Sequence, residues 1–225
     1  MISGRTRLVA LLGRPVADSL SPLMQNAAFA ARGLDWAYVA CDVGPERFEA
    51  AVRGLAAAGF AGTNVTTPHK HAAAALAESE IESVNTLVFD GDRILGHSTD
   101  AAILAGLAGE RPVIVGDGGA AQAFRKALPN ARVFSRRGEW PPDVADADLV
   151  VNATSERGQV VVEVGAGQTL VDLPYPVTAT AAAAREAHVV SGLEVLVAQG
   201  AASFELWTGL PAPVEVMRRA VGLAT

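Results

Sequence analysis

The sequence predicts an α/β protein of two small domains, and three observations carry that expectation. Strand-like apolar runs alternate with Ala-rich segments of helical period, the pattern of parallel pairing through crossover helices. The chain has 225 residues, enough for one large domain or two small ones. Near residue 110 the pattern starts afresh with a short, wholly apolar strand and a glycine turn.

In the first unit Thr6 to Leu12 reads as a strand that Gly13-Arg14-Pro15 ends. Beyond Ser21-Pro22, Met24, Ala27, Ala28 and Ala31 recur at three- and four-residue spacing up to Gly33. That predicts a helix with a hydroxyl N-cap, proline at its first position and a glycine stop. A second strand covers Trp36 to Cys41, a second helix about Glu46 to Ala58, and a third strand Phe60 to Val65. Pro68 opens an Ala-rich helix through Leu76. Val84 to Phe89 and Arg93 to Gly96 flank Asp90-Gly91, a hairpin signal. In the second unit Pro112 to Val115 is a strand, Gly116 to Gly119 a turn and Ala120 to Leu128 a helix. Strands follow at Ala131 to Phe134, Asp148 to Asn152 and Thr169 to Asp172, and helices at about Thr178 to Glu186, Glu194 to Trp207 and Pro213 to Val221.

Composition narrows the function classes. Half of the residues are hydrophobic, so the chain can bury a core without disulfides or metals. The net charge is −6, from 24 carboxylates against 18 cations, which argues against a nucleic-acid footprint. A single cysteine, Cys41, excludes an internal disulfide framework and a multi-thiolate metal site. The four histidines lack metal-ligand spacing, so no metal is assigned. The N-terminal residues lack a signal-type apolar stretch and no apolar run is long enough to span a bilayer, so the expectation is a cytoplasmic protein with no membrane partner. Of the 18 cations 16 are Arg and only Lys70 and Lys126 are Lys. A lysine in such a chain invites a reason, because ammonium moves protons where guanidinium stays protonated.

Several constellations carry chemistry. Gly116-Asp-Gly-Gly-Ala-Ala121 follows an apolar strand and opens a helix, where glycines let backbone amides approach a pyrophosphate; the alternative is a tight βα loop. About 20 positions on, where a ribose carboxylate or a phosphate-binding Arg would stand, the chain has Ser135-Arg136-Arg137. Two guanidiniums there suit a 2′-phosphate; the alternative is a solvated basic loop. Asn64-Val-Thr-Thr-Pro-His-Lys70 gathers polar residues at a strand's carboxyl end, with Lys70 in the first turn of a helix whose dipole disfavours a cation. Asp100 is a candidate partner for Lys70 in an acid–base pair for carbonyl reduction, and equally an N-cap. Ser19 and Ser21, just ahead of a helix, suit a carboxylate. Asn85-Thr86 and Gln199 suit a polyhydroxylated ligand. Each of these residues could also be a cap or a satisfied buried amide.

Taken in order these motifs resemble the shikimate dehydrogenase family across nearly the whole chain. The resemblance includes Gly13-Arg-Pro-Val-Ala-Asp-Ser-Leu-Ser-Pro22, Asn26-Ala-Ala-Phe29, Asn64 to Lys70, Val84-Asn-Thr-Leu87 and Ser98-Thr-Asp100. It continues through Gly116 to Ala121, Asn152-Ala-Thr154, Asp172-Leu-Pro-Tyr175, Ala198-Gln-Gly-Ala201 and Phe204 to Gly209. It implies NADP-dependent reduction of 3-dehydroshikimate to shikimate, toward chorismate and the aromatic amino acids. It also implies an N-terminal α/β substrate domain, residues 1–105 completed by helices in 195–225, and a reduced Rossmann-like NADP-binding domain, 106–194. Carried over by position, Lys70 and Asp100 would be catalytic, and Ser19, Ser21, Asn64, Thr66, Asn85, Tyr175 and Gln199 would bind substrate. Gly116, Gly118, Gly119, Ala120, Ser135, Arg136, Arg137, Asn152, Ala153 and Thr154 would bind cofactor. A homodimer is one candidate assembly.

The chain departs from the family pattern at Asp18, where a histidine is usual, at Ser98, often Asn, and at Val195, often Met. Only 36 positions separate Gly116 from Asn152, room for one βαβ unit and a loop, so a trimmed cofactor sheet with an incomplete adenosine pocket is expected. The alternatives are a homologue acting on quinate or an aminated analogue, with NAD a candidate cofactor, and a noncatalytic binder of a shikimate-like ligand.

Overall fold

The computed structural model describes residues 2–107 and 109–224, which fall into two units, Met1–Thr99 with Val197–Thr225 and Asp100–Leu196. The first begins with β1 (Arg7–Gly13), α1 (Ser21–Ala31), β2 (Trp36–Asp42), α2 (Phe48–Ala57), β3 (Gly62–Val65), α3 (Lys70–Leu76), β4 (Thr86–Asp90) and β5 (Arg93–His97). They build one sheet in the order β2-β1-β3-β4-β5. The first three strands are parallel, and β4 and β5 run antiparallel to their neighbours. β1 is central, and Val9 to Leu12 are buried as an unbroken apolar run, as a strand covered on both faces requires. The register pairs Leu12 with Val65, Asn64 with Thr86 and Thr86 with His97. The carboxyl ends of β1, β3 and β5 and the start of β4 therefore share one end of the sheet.

Two helix starts differ from expectation. α1 has Leu20 as its N-cap with no side-chain cap, because Ser21 is already helical. The hydroxyl that meets its backbone is that of Ser19, which accepts from Ser21 N–H at 3.3 Å. α3 begins at Lys70 rather than Pro68, because His69 N–H is taken by Thr66 O in a turn. The His69 ring is buried, stacked on Phe48 at 4.5 Å and donating from Nε2 to Val43 O at 2.6 Å.

The second unit holds β6 (Pro112–Val115), α4 (Gly119–Ala127), β7 (Arg132–Phe134), β8 (Leu149–Asn152), β9 (Thr169–Asp172), α5 (Ala179–Ala183) and β10 (His188–Val190). Its five strands are all parallel, in the order β10-β9-β8-β6-β7. Residues 135–148, between β7 and β8, contain no helix or strand, so β7 is an edge and the expected trimming is real. Irregular chain covers one face of the sheet here: Val144, Ala147, Val161 and Val162 pack on Val113, Val115, Phe134 and Leu170. Gln168 Nε2 holds that cover in place by donating to Val144 O and Ala147 O at 2.7 and 2.9 Å. On the other face Ile103, Leu104 and Leu107 pack against Ile114, Phe124 and Leu149. Ile103 and Leu104, given to the first domain by the sequence, thus lie in this unit's core. β10 was not foreseen, and α5 is shorter than expected.

α6 (Gly192–Thr208) begins in the second unit two residues before the expected Glu194. The capping box explains the start: Ser191 N–H donates to Glu194 Oε2 at 2.8 Å, and Glu194 N–H to Ser191 Oγ at 3.4 Å. From Val197 onward α6 belongs to the first unit, as does α7 (Val214–Ala220), which packs on α1. Phe204 stacks on Phe29 at 5.4 Å, Gln25 Nε2 donates to Gly200 O at 2.8 Å, and Trp207 Nε1 donates to Leu87 O at 3.0 Å. No helix among the described residues is long and apolar enough to cross a membrane.

A Cβ at Gly62 would run into Leu87 O and the Trp207 indole. Gly62→Ala should cost about 1–3 kcal/mol, read from urea denaturation; an unchanged midpoint would mean that α6 is not seated there. Asp172 is buried, and desolvation lifts its carboxyl above the ordinary aspartate range against hydrogen bonds from Thr178 Oγ1 and Asn152 Nδ2. The native state therefore holds that proton more tightly than the unfolded chain, and this group's contribution to stability falls as pH rises from the ordinary value through the raised one. Relative to wild type, Asp172→Asn should gain stability as pH is raised from about 3.5 to about 6.5. A difference in melting temperature that stays flat over that range would refute the assignment.

Candidate active site

Four of the polar residues singled out in the first unit, Asn64, Asn85, Thr86 and Gln199, meet at one end of its sheet in a largely buried network. Asn64, on β3, accepts from Tyr38 OH at 2.8 Å. Its amide nitrogen lies 3.0–3.1 Å from Asn85 O, Thr86 Oγ1 and Ser203 Oγ. Asn85 accepts Thr99 N–H at 2.8 Å, donates to Thr99 Oγ1 at 3.0 Å and lies 3.4 Å from Gln199 Oε1. Thr86 and Ser203 share a hydroxyl contact of 2.9 Å, and Ser203 donates to Gln199 O at 2.9 Å. Each buried amide is thus fixed in one orientation, since leaving either end unpaired would cost about 1–3 kcal/mol. Thr99 directly precedes Asp100 in the chain, so Asn85 fixes the backbone from which Asp100 departs.

Lys70 is the first residue of α3, and its carbonyl accepts Val84 N–H at 3.1 Å, one residue before Asn85. His69, anchored on Phe48 and Val43, holds the turn that delivers it. Thr66 stands at the end of β3, where its N–H donates to Leu12 O at 2.9 Å. Ser19 and Ser21 lie at the start of α1, Ser21 being buried.

In the second unit the carboxyl ends of β6, β7, β8 and β9 align, through the pairs Val115–Phe134, Val115–Asn152 and Asn152–Asp172. β6 has β7 on one side and β8 on the other. The turn Gly116–Gly119 therefore leaves the sheet where the chain reverses direction across it, the usual ligand position in open α/β sheets. Gly116 has φ +128°, and a Cβ there would sit 2.9 Å from Ala153 O, so no other residue fits. A Cβ at Gly118 would meet open space, and α4 has no side-chain cap. Clear room at Gly118, ahead of a helix start with no side-chain cap, fits the pyrophosphate of a dinucleotide.

Ser135 to Glu139 form a turn closed by Gly138 N–H to Ser135 O at 3.0 Å and Ser135 N–H to Glu139 O at 3.1 Å. Arg136 lies over the Trp140 ring, 5.6 Å from its centroid, and Arg137 Nη1 is 3.7 Å from Asp117 Oδ2 in the glycine turn. The glycine turn and the arginine pair are thus neighbours. Glu156 completes the charged group: backbone N–H donors of Gly158, Gln159 and Arg157, with Arg136 nearby, hold its carboxyl below the usual range. Asn152 is wholly buried, with Nδ2 on Asp172 Oδ1 at 2.7 Å and Oδ1 accepting from Thr154 Oγ1 at 2.8 Å. Its amide ties β8 to β9 and shapes the loop that contains Ala153 and Thr154. Tyr175, also in this unit, is half-buried in the loop after β9.

Sequence reasoning missed Tyr38, Thr99, Ser203 and Asp117. Ser203 lies four residues after Gln199 on α6, a helical spacing that places the two on one face and was a usable signal. Tyr38 had a weaker one in Asn26, whose side chain accepts from Tyr38 N–H at 2.8 Å and donates to its carbonyl at 3.0 Å.

Comparison with known proteins places this arrangement. Residues 11–87 match the family described as shikimate dehydrogenase substrate binding domain, and residues 192–221 the shikimate 5'-dehydrogenase C-terminal domain. A shikimate dehydrogenase (NADP(+)) of Anaeromyxobacter dehalogenans is 41% identical over 98% of each chain. That alignment is 271 positions long against 225 residues here, so the relative has segments within the matched span that this chain lacks. The shikimate dehydrogenase of Aquifex aeolicus superposes with a TM-score of 0.88 at 29% identity, covering 99% of this chain and 100% of that one. The Thermus thermophilus enzyme in complex with NADP(H) and shikimate gives 0.81 at 31%, covering 96% and 98%. On this evidence the chain belongs to the shikimate dehydrogenase family.

Proposed function

We propose that the chain catalyses the reversible, NADP-dependent reduction of 3-dehydroshikimate to shikimate, the first unit binding substrate and the second binding cofactor. The observation that supports this best is the network in which Asn64, Asn85 and Gln199 converge on one end of the first unit's sheet, beside the turn bearing Lys70. In this reading Ser19 and Ser21 hold the substrate carboxylate, and Asn64, Thr66, Asn85 and Gln199 meet the ring hydroxyls. NADPH supplies the hydride when bound. Lys70 gives its proton to the oxygen of the ring ketone as that oxygen becomes an alkoxide, and takes it back in the oxidation direction. Asp100 orients the ammonium and offsets its charge. Gly116, Gly118, Gly119 and Ala120 line the pyrophosphate, Ser135, Arg136 and Arg137 face the adenosine 2′-phosphate, and Asn152, Ala153 and Thr154 shape the adjoining loop. Holding the substrate by its carboxylate and hydroxyls converts an encounter into an oriented attack, and much of the rate comes from that. The cytoplasm is the compartment we assign, on the single free thiol Cys41.

The test is shikimate oxidation followed at the nicotinamide absorbance, with NADP+ and NAD+ in parallel. Turnover with NADP+ is the expected result; shikimate binding without turnover on either cofactor would overturn the reading in favour of a binding protein. Lys70→Ala should lower kcat roughly 10²- to 10⁴-fold while shikimate still binds. Turnover near wild type would remove Lys70 from proton transfer.

A further inference from the structure

The arginine assigned to the cofactor's 2′-phosphate already has an anionic neighbour, and that neighbour belongs to the glycine turn. Arg137 is 88% exposed and its Nη1 lies 3.7 Å from Oδ2 of Asp117, which is 45% exposed. Arg136 is engaged differently, over the Trp140 ring at 5.6 Å with the Glu156 carboxylate in its vicinity. Of the two guanidiniums, one is therefore held on an aromatic face, and the other faces a carboxylate two residues before the first residue of α4. A pair this exposed and this long is weak, so a stronger anion displaces it easily. A phosphate carrying nearly two charges is such an anion; a ribose hydroxyl is not.

From this geometry we infer that Asp117 is a cofactor-selectivity residue: its carboxylate competes with the 2′-phosphate for Arg137 and so narrows the preference for NADP over NAD. The inference rests on the proposed role of Arg137 as a phosphate reader. Asp117 acts by occupying Arg137, so that the 2′-phosphate must displace its carboxylate to reach the guanidinium. That cost falls on NADP+ and not on NAD+, which lacks the group.

Isothermal titration of the full chain with NADP+ and with NAD+ tests this without reference to turnover. Asp117→Asn keeps the turn and removes the charge. It should tighten NADP+ binding about threefold to tenfold, the scale of one partly screened charge interaction, and NAD+ binding by less than about twofold. A gain in affinity cannot come from misfolding, so the readout is independent of stability. In an Arg137→Ala background the gain should vanish. Unchanged or weakened NADP+ binding in Asp117→Asn, an equal gain for both cofactors, or a gain that persists without Arg137 would each overturn the inference. Arg137→Ala alone separates this failure from failure of the parent reading. If it leaves NADP+ affinity unchanged, Arg137 does not meet the phosphate and both fall; if it weakens NADP+ while Asp117→Asn has no effect, only the role of Asp117 falls.

Discussion

The side-chain amides of Asn64 and Asn85 set the terms for the rest of the first unit. They stand where β3 meets the start of β4, Asn64 opposite Thr86 in the register. In a buried site such groups must find partners, and a network that satisfies them admits one arrangement of the elements supplying those partners. Those elements are β2 through Tyr38, β4 through Thr86, Thr99 after β5, and α6 through Gln199 and Ser203. A helix from the far end of the sequence is thereby fixed to the sheet by these polar contacts and by Trp207, and to α1 by Phe204. The same two amides are the groups the family resemblance directs at the substrate's hydroxyls. The machinery that would read the ligand is thus continuous with the machinery that holds the domain together.

Much of this was legible in the sequence, and the reasons are physical. β1, β6 and β8 are buried on both faces and read as unbroken apolar runs, so their existence was clear. The candidate site residues stood out because their motifs lie at strand ends and helix starts, where polar residues in an Ala-rich chain are conspicuous. The rest was hidden for particular reasons. β10 is three residues long, too short for any periodicity, and only its pairing with β9 defines it. The true start of α3 depends on a buried histidine whose partners, Phe48 and Val43, are distant in sequence. The contact of Asp117 with Arg137 joins two loops 20 residues apart and leaves no local trace.

The second unit shows how a parallel sheet is covered where the chain between two of its strands holds neither helix nor strand. Its covered face needs apolar side chains over Val113, Val115 and Leu170, but those need not come from a helix. Four aliphatic residues on irregular segments supply them, and the exposed cost of irregular backbone is met by side chains such as Gln168 and Thr180, the latter accepting Val161 N–H at 2.9 Å. The carboxyl edge, with the glycine turn and the arginine pair, rests on β6, β7 and β8.

With no strand beyond it in the sheet, β7 has one side of its backbone at the margin. Such a margin is a template on which a strand of another molecule can grow. β7 offers very little to copy. It is three residues long, it begins with Arg132 flanked by the carboxylates of Asp143 and Asp146, and the chain beyond it soon reaches Trp140-Pro141-Pro142, where two successive residues have no N–H to give. The border of the second sheet therefore offers another strand little to pair with.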